Sequence, residues 1–156
     1  MRLSLRALIW LLVCSTAAQA QIKSMEKGRV AAAELSAVEI DGMINEVKKS
    51  AYDVPKSWRA ELQFREVDLG GGPGVIVQGT NLLCGGTGNC QIWVFRRAKG
   101  KWVSLFKNNQ AVLADAFQFG PAQTHHIKDL TVTTNISAEE TRRVTYKFDG
   151  GRYTSR

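Results

Sequence analysis

Apolar and polar residues follow a helical period in the first part of the chain. The apolar positions of this segment are Ile40, Met43, Ile44 and Val47. They recur at spacings of three, four and seven residues, which places them on one face of an α-helix. Ser36–Glu39 has the Ser-x-x-Glu form of a capping box and predicts where the helix begins. We expect the helix to end before Pro55, because a residue that precedes proline avoids helical geometry.

From Trp58 onward, short runs of aromatic and β-branched residues alternate with glycine, asparagine and charged turns, a pattern typical of strands. The predicted strands are Arg59–Val67, Val75–Gly79, Gln91–Arg96, Trp102–Lys107, Val112–Phe119, Ile127–Thr134, Arg142–Phe148 and Arg152–Thr154. Most connections are too short for the crossover that parallel neighbours need. The pattern therefore predicts an α+β fold, in which one N-terminal amphipathic helix packs on a twisted antiparallel β-meander sheet or a partly closed barrel.

The first twenty residues have the composition of a secretory signal peptide. Arg2 and Arg6 precede the apolar run Ala7–Val13, and Ala18–Ala20 follows as a small-residue cleavage site. The apolar run is too short to cross a bilayer of about 30 Å, so we expect no membrane span after cleavage. The expected organisation is a signal peptide at 1–20, a flexible leader at 21–35 and a single α+β domain at 36–156. This organisation predicts a periplasmic or secreted protein.

A bacterial lipoprotein signal is the alternative interpretation of the same segment. Leu11–Cys14 loosely resembles a lipobox, in which the cysteine becomes the lipidated first residue. Val13 departs from the Gly, Ala or Ser that usually precedes this cysteine. In this alternative, acyl chains on Cys14 would tether the domain to a membrane face.

Charge limits the classes of partner. The chain carries 21 Lys and Arg against 14 Asp and Glu, a net charge of +7, and loss of a signal peptide with two arginines and no acid leaves +5. Its basic doublets, Lys48–Lys49, Arg96–Arg97 and Arg142–Arg143, are scattered, whereas nucleic-acid-binding proteins concentrate basic residues on one face. We expect no nucleic-acid partner. An envelope protein, a peptide or an anionic polymer remains, because positive charge favours encounter with anions.

Two cysteines follow the predicted signal peptide, Cys84 and Cys90. Nearby thiols pair in an oxidising compartment, so we predict a disulfide between them. Their five intervening residues fit neither the spacing of zinc-binding cysteine pairs nor the Cys-x-x-Cys redox motif. The sequence therefore predicts no metal site and no cofactor.

The glycine-rich loop between these cysteines is a candidate binding site. Such a loop, held by a disulfide, can direct several backbone N–H groups at one point and form an anion nest. A purely structural hairpin loop is the alternative. The candidate ligand-binding residues are Gly85, Gly86, Thr87, Gly88, Asn89 and Arg96.

Segments of the later part of the chain resemble small uncharacterised secreted bacterial proteins. These segments are the Cys-Gly-x-Thr-Gly-Asn-Cys loop at Cys84–Cys90, the strand Gln91–Arg96 and the ending Tyr146–Tyr153. Such proteins commonly carry an Asp-rich loop as well, but here the FG-GAP-like Asp/Gly loop is degenerate and keeps only Asp68. Calcium needs six to eight oxygen ligands, so the glycines at the other positions argue against a bound ion. The resemblance implies export and architecture, and it implies no particular activity.

The histidine pair and a nearby carboxylate form the candidate catalytic set, His125, His126 and Asp129. A hydrolase would need a nucleophile against one histidine, and the sequence contains no Gly-x-Ser-x-Gly elbow. We therefore favour an exported non-enzymatic binding module of the bacterial envelope or extracellular space, which recognises a protein, peptide or polymer through strand edges, aromatic side chains or the disulfide loop. The alternative is a small secreted hydrolase, in which a histidine would lie in a cleft beside Asp115 or Asp129.

Overall fold

The computed structural model describes residues 35–52 and 55–155. The predicted signal peptide, the alternative lipidation site Cys14 and nearly all of the predicted leader lie outside the described residues. The helices are α1 (Ala37–Val47) and the single turn α2 (Trp58–Glu61). The strands are β1 (Leu62–Asp68), β2 (Pro73–Gly79), β3 (Cys90–Ala98), β4 (Lys101–Ser104), β5 (Val112–Ala114), β6 (Ala116–Thr124), β7 (Ile127–Asn135), β8 (Thr141–Phe148) and β9 (Tyr153–Ser155).

The strand pairs are antiparallel, as predicted, but they form two open sheets rather than one meander. The first sheet has the order β1-β2-β3-β4, with β5 also paired to β3, and the second has the order β6-β7-β8-β9. The chain changes sheet at Asp115, inside the predicted strand Val112–Phe119. Ala114 still pairs with Cys90 of β3, whereas the Asp115 N–H donates to the Thr133 carbonyl of β7 at 2.9 Å.

The first sheet is buried on both faces, because alternate residues of a strand point to opposite sides. One face packs against α1, and its buried members are Val75, Val77, Trp93 and Phe95, which meet Met43, Ile44 and Val47 of the helix. The other face packs against the second sheet through Ile76, Ile92 and Val94, which meet Leu130, Val132 and Phe148. The described residues thus form three layers, a helix and two sheets.

The capping residues at the start of α1 also attach the helix to the first sheet. The Ser36 hydroxyl accepts from the Glu39 N–H at 3.3 Å, and the Glu39 carboxylate accepts from the Ser36 N–H at 3.0 Å. The same carboxylate accepts the indole N–H of Trp102 at 3.1 Å and forms an ion pair with Arg97. One acidic side chain therefore both caps the helix and fixes its N-terminal end over β3 and β4.

Leu105 joins the two sheets at one end through its main chain. Its N–H donates to the Val94 carbonyl of β3 at 2.7 Å, and its carbonyl accepts the Tyr153 N–H of β9 at 2.6 Å. Next to this link, the segment after Phe106 and β5 faces β8 and β9 across a groove. The fold thereby places residues from distant parts of the chain on two walls of one concave surface.

Candidate binding site

The disulfide loop closes on itself. The sulfur atoms of Cys84 and Cys90 lie at disulfide distance, 2.03 Å apart, as predicted. The Gly85 N–H donates to the Asn89 carbonyl at 2.7 Å, and the Gly88 N–H donates to the Gly85 carbonyl at 2.9 Å. Two of the N–H groups considered for an anion nest are therefore satisfied inside the loop. Gly86 and Thr87 lie exposed at its tip.

Asn89 holds the loop against the end of β7. Its side chain is buried, and its Nδ2 donates to the Asn135 carbonyl at 2.7 Å while its Oδ1 accepts the Asn135 N–H at 2.8 Å. The amide side chain thus pairs with one residue of β7 as the backbone of a neighbouring strand would. Nδ2 also donates to the Thr87 hydroxyl at 2.6 Å. These contacts give Asn89 and Thr87 a structural role.

Arg96 lies far from the loop. It lies six positions after Cys90 in β3, which is about 20 Å at the rise of a strand. Its guanidinium carbon lies 5.0 Å from the centre of the Phe148 ring, and its buried Nε has no hydrogen-bond partner among the described residues. Arg96 therefore contacts the second sheet, and the fold does not bring it together with the glycine-rich loop.

His125 and His126 form the exposed turn between β6 and β7. Their φ angles of 50° and 65° are those of a two-residue hairpin turn, in which both central residues have positive φ. Asp129 is buried, accepts the Thr124 hydroxyl at 2.7 Å and lies 3.9 Å from the Lys147 ammonium group. The carboxylate is thus held by a hydroxyl and a lysine.

The geometry considered for a hydrolase is not assembled in the part of the chain that the structure describes. Within 35–52 and 55–155, neither His125 nor His126 forms a hydrogen bond or ion pair with a carboxylate. Asp115 is exposed at the change of sheet. Two grooves lie elsewhere on the described surface, and neither is lined by His125, His126, Asp115 or Asp129.

Asp68 stands at the end of β1, where the glycine-rich turn begins. One of its oxygens accepts the Lys128 ammonium group at 2.6 Å, and the other accepts the Gly70 N–H at 2.8 Å. The Lys128 hydrogen bond, and then that from Gly70, lower the pKa of the Asp68 carboxyl. Its oxygens therefore bind an amine and a backbone amide. No cluster of three or more His, Cys, Asp or Glu side chains suited to a metal ion occurs among the described residues.

A groove of about 1050 Å³ lies between β5 on one side and β8 and β9 on the other. Apolar and aromatic side chains line it, among them Tyr52, Val112, Leu113, Val132, Ile136, Val144 and Tyr146. Tyr52, Leu113 and Ile136 are 72%, 39% and 49% exposed, and they are three of the six most exposed large hydrophobic side chains among the described residues. A smaller groove of about 500 Å³ adjoins it through Phe106 and Lys107. Clustered exposed apolar side chains are typical of an interaction surface.

The charged residues that line the larger groove are all basic within the described residues. They are Lys107, Arg142, Arg143 and Arg152, and we call the larger groove the basic groove. Arg152 has a carboxylate nearby, that of Asp149 at 3.8 Å. Lys107, Arg142 and Arg143 form no ion pair with a described carboxylate. This groove therefore has a positive potential that favours an anionic ligand.

Tyr146 connects the charged part of the basic groove with its apolar floor. Its ring meets that of Phe106 edge to face, with centroids 5.5 Å apart. Burial raises the pKa of the Tyr146 hydroxyl above its ordinary value of 10.0, and the positive charge of Arg142 acts in the opposite direction. Arg142 is thus close enough to influence the phenol. A ligand here would meet an aromatic ring and a cation together.

One edge of β8 is open beside the basic groove. β9 pairs with only the last three residues of β8, and no described strand pairs with Thr141–Thr145 on that side. The Asp149 N–H donates to the Arg152 carbonyl at 2.9 Å where this hairpin closes. In an antiparallel pair, alternate residues direct both backbone groups to the same neighbour. By this alternation, the N–H and C=O of Thr141 and Arg143 point to the open side, beyond the described end of β9.

No residue that lines the basic groove was predicted from the sequence as a site residue. The doublet Arg142–Arg143 is visible in the sequence, but Lys107 lies 35 positions before Arg142. Only the return of the chain from the first sheet to the second brings these cations together. A doublet of cations in a predicted strand was the one local signal of this site.

Comparison of the chain with protein-family models gives no match, and comparisons with curated proteins and with solved structures give none either. Within the described ranges, no helix has the length and apolar character needed to cross a membrane. A function is therefore inferred from the geometry of the chain's own residues.

Proposed function

We propose that this protein is an exported, non-enzymatic α+β binding module of the bacterial envelope or extracellular space, and that it recognises a protein or peptide in the basic groove. The observation that carries the proposal is that one concave surface combines exposed apolar side chains with cations that have no described carboxylate partner. Protein interfaces commonly combine an apolar centre with a polar rim. The signal-peptide composition of 1–20 and the resemblance of Cys84–Cys90 to secreted bacterial proteins support export.

Burial of the exposed apolar side chains would supply most of the binding free energy. Each large side chain that becomes fully buried contributes about 1.5 to 3 kcal/mol, and Tyr52 and Ile136 are 72% and 49% exposed. The cations would instead raise the rate of encounter and select against basic partners, which is the usual effect of rim charges. The groove thus contains separate features for affinity and for specificity.

The test compares the partners that three forms of the protein retain in native mass spectrometry, after isolation without reductant from the envelope fraction of the producing cell. The forms are wild type, Arg142→Glu/Arg143→Glu and the control Lys99→Glu/Lys101→Glu. The control residues are exposed, lie in the β3–β4 turn and at the start of β4, line neither groove and change the net charge equally. We expect wild type and control to retain a bound species that the groove variant loses.

Equal retention by all three forms would contradict a role for the basic groove. Bare protein in all three, together with a hydrolytic activity that disappears in His125→Ala/His126→Ala, would favour the hydrolase alternative. The histidine variant is expected to fold, because both side chains are exposed. The binding module therefore predicts a loss of partner when Arg142 and Arg143 are replaced, and the hydrolase predicts a loss of activity when the two histidines are replaced.

A further inference from the structure

We propose that the occupant of the basic groove is an extended acidic peptide segment of a partner protein, which adds as a strand to the open edge of β8 at Thr141–Val144. This inference rests on the proposed function and specifies the chemistry of the partner. It follows from three features of the same surface: open main-chain groups, alternation of the β8 side chains and uncompensated positive charge.

The open main-chain groups define where the segment would lie. The N–H and C=O of Thr141 and Arg143 point to the open side by the alternation established at the Asp149–Arg152 pair. An unpaired strand edge is a template for an added strand, and strand addition is a common mode of peptide recognition. A segment parallel to β9 would continue in line with it and would meet these groups in register.

The side chains of β8 define what the segment would carry. Arg142, Val144 and Tyr146 share one face of the strand, since alternate residues point to the same side, and Arg143 and Thr145 share the other. Opposite side chains of neighbouring antiparallel strands lie about 4.5 to 5.5 Å apart. Adjacent acidic residues in the segment would therefore face Arg142 and Arg143, and an apolar residue would face Val144.

Uncompensated charge favours an acidic segment. Lys107, Arg142 and Arg143 line the groove without an ion-pair partner among the described carboxylates. An anionic polymer would match these charges too, but it would leave the main-chain groups of β8 and the apolar side chains of Leu113 and Ile136 unused. A peptide engages all of these features, so the observations favour it.

The probe is the peptide isovaleryl-Glu-Glu-Thr-Ser-amide, in which the apolar acyl group would stand opposite Val144, the first glutamate opposite Arg143 and the second opposite Arg142. It is titrated into the isotope-labelled, disulfide-bonded protein and followed by backbone amide NMR and hydrogen exchange. We expect the amide shifts to be largest at Thr141 and Arg143, and exchange of the Arg143 amide to slow when the peptide binds. The matched peptide controls carry an N-methyl group on the first glutamate, or lysine at both glutamate positions.

The N-methyl peptide keeps every charge but removes the N–H that would donate to β8, so we expect it to bind about tenfold more weakly. Arg142→Glu/Arg143→Glu should weaken binding by about tenfold or more, since two attractive pairs become repulsive. Lys99→Glu/Lys101→Glu should change it by no more than about twofold. Equal binding of the plain and N-methyl peptides, or tighter binding of the lysine peptide, would overturn the inference.

Inorganic polyphosphate and the native mass spectra distinguish this inference from the proposed function. Polyphosphate binding that depends on Arg142 and Arg143, with no peptide binding, would replace strand addition by polymer recognition. A natural partner lost only in the groove variant, again with no peptide binding, would refute the acidic strand but leave the groove as the binding site. Absence of any partner and of peptide binding would refute both proposals.

Discussion

Replacing Asn89 by alanine tests whether this residue of the glycine-rich loop stabilises the fold. The side chain is 4% exposed and makes two hydrogen bonds to the backbone of Asn135, at 2.7 and 2.8 Å. Each such bond contributes about 0.5 to 1.5 kcal/mol net. We therefore expect Asn89→Ala to lower the free energy of unfolding by about 2 kcal/mol. Asn89→Asp should cost at least as much, because it places a carboxylate oxygen against the Asn135 carbonyl in place of the amide donor.

Urea unfolding of the disulfide-bonded protein measures this change. With a slope of about 1 to 3 kcal/mol/M, a loss of about 2 kcal/mol lowers the midpoint by roughly 0.7 to 2 M at an unchanged slope. The control is Asn135→Ala, which removes one exposed hydrogen bond to the Thr87 carbonyl, at 3.2 Å, and keeps the main chain that Asn89 binds. We expect it to cost less than about 1 kcal/mol. If Asn89→Ala lowers the free energy of unfolding no more than this control does, the Asn89 side chain does not stabilise the fold through Asn135.

Three further perturbations test the disulfide, the helix cap and the last hairpin. Cys84→Ala/Cys90→Ala should lower the free energy of unfolding by about 2 to 2.5 kcal/mol in denaturant titration, because the bond closes a short loop. Glu39→Ala should cost about 1 to 2 kcal/mol and change Trp102 fluorescence, since the carboxylate caps α1 and accepts the indole N–H; unchanged fluorescence would contradict this. Two backbone N–H donors lower the pKa of Asp149 below its ordinary value of 3.8. Its stabilisation is therefore present above that value and disappears as the pH falls through the lowered pKa, so wild type and Asp149→Ala should differ in stability at neutral pH and converge in acid; a constant difference would contradict this.

The two-residue period of apolar side chains made the strands of the first sheet predictable. In β3, Ile92 and Val94 face the second sheet while Trp93 and Phe95 face α1, and the sequence shows both sets. The division into two sheets was not predictable from this period, because Val112–Phe119 stays apolar on both sides of Asp115. The change of partner there depends on hydrogen bonds to β3 and β7, which only the folded chain supplies.

For the candidate site, contacts between residues close in sequence were predictable, whereas contacts between distant residues were not. The pairing of Cys84 with Cys90 follows from their short separation in the sequence. The basic groove joins side chains from β8 and from the segment before β5, and no short motif contains both. The loop was predicted as a ligand site because a glycine-rich loop can direct its backbone N–H groups at a ligand. In the folded loop, the N–H groups of Gly85 and Gly88 instead donate to carbonyls of the loop itself.

The disulfide loop and the basic groove are nevertheless connected through the end of β7. Asn89 binds Asn135, which pairs with Thr141 at the start of the open edge of β8. The next residue, Ile136, lines the groove. Loss of the Asn89 contacts in Asn89→Ala should therefore speed exchange of the Ile136 amide, which donates to the Glu140 carbonyl at 2.8 Å, more than exchange in the distant β8–β9 turn, because hydrogen exchange reports local opening. Uniformly faster exchange would show that the loop stabilises only the fold as a whole, whereas a local increase would show that it holds the wall on which the proposed partner strand adds.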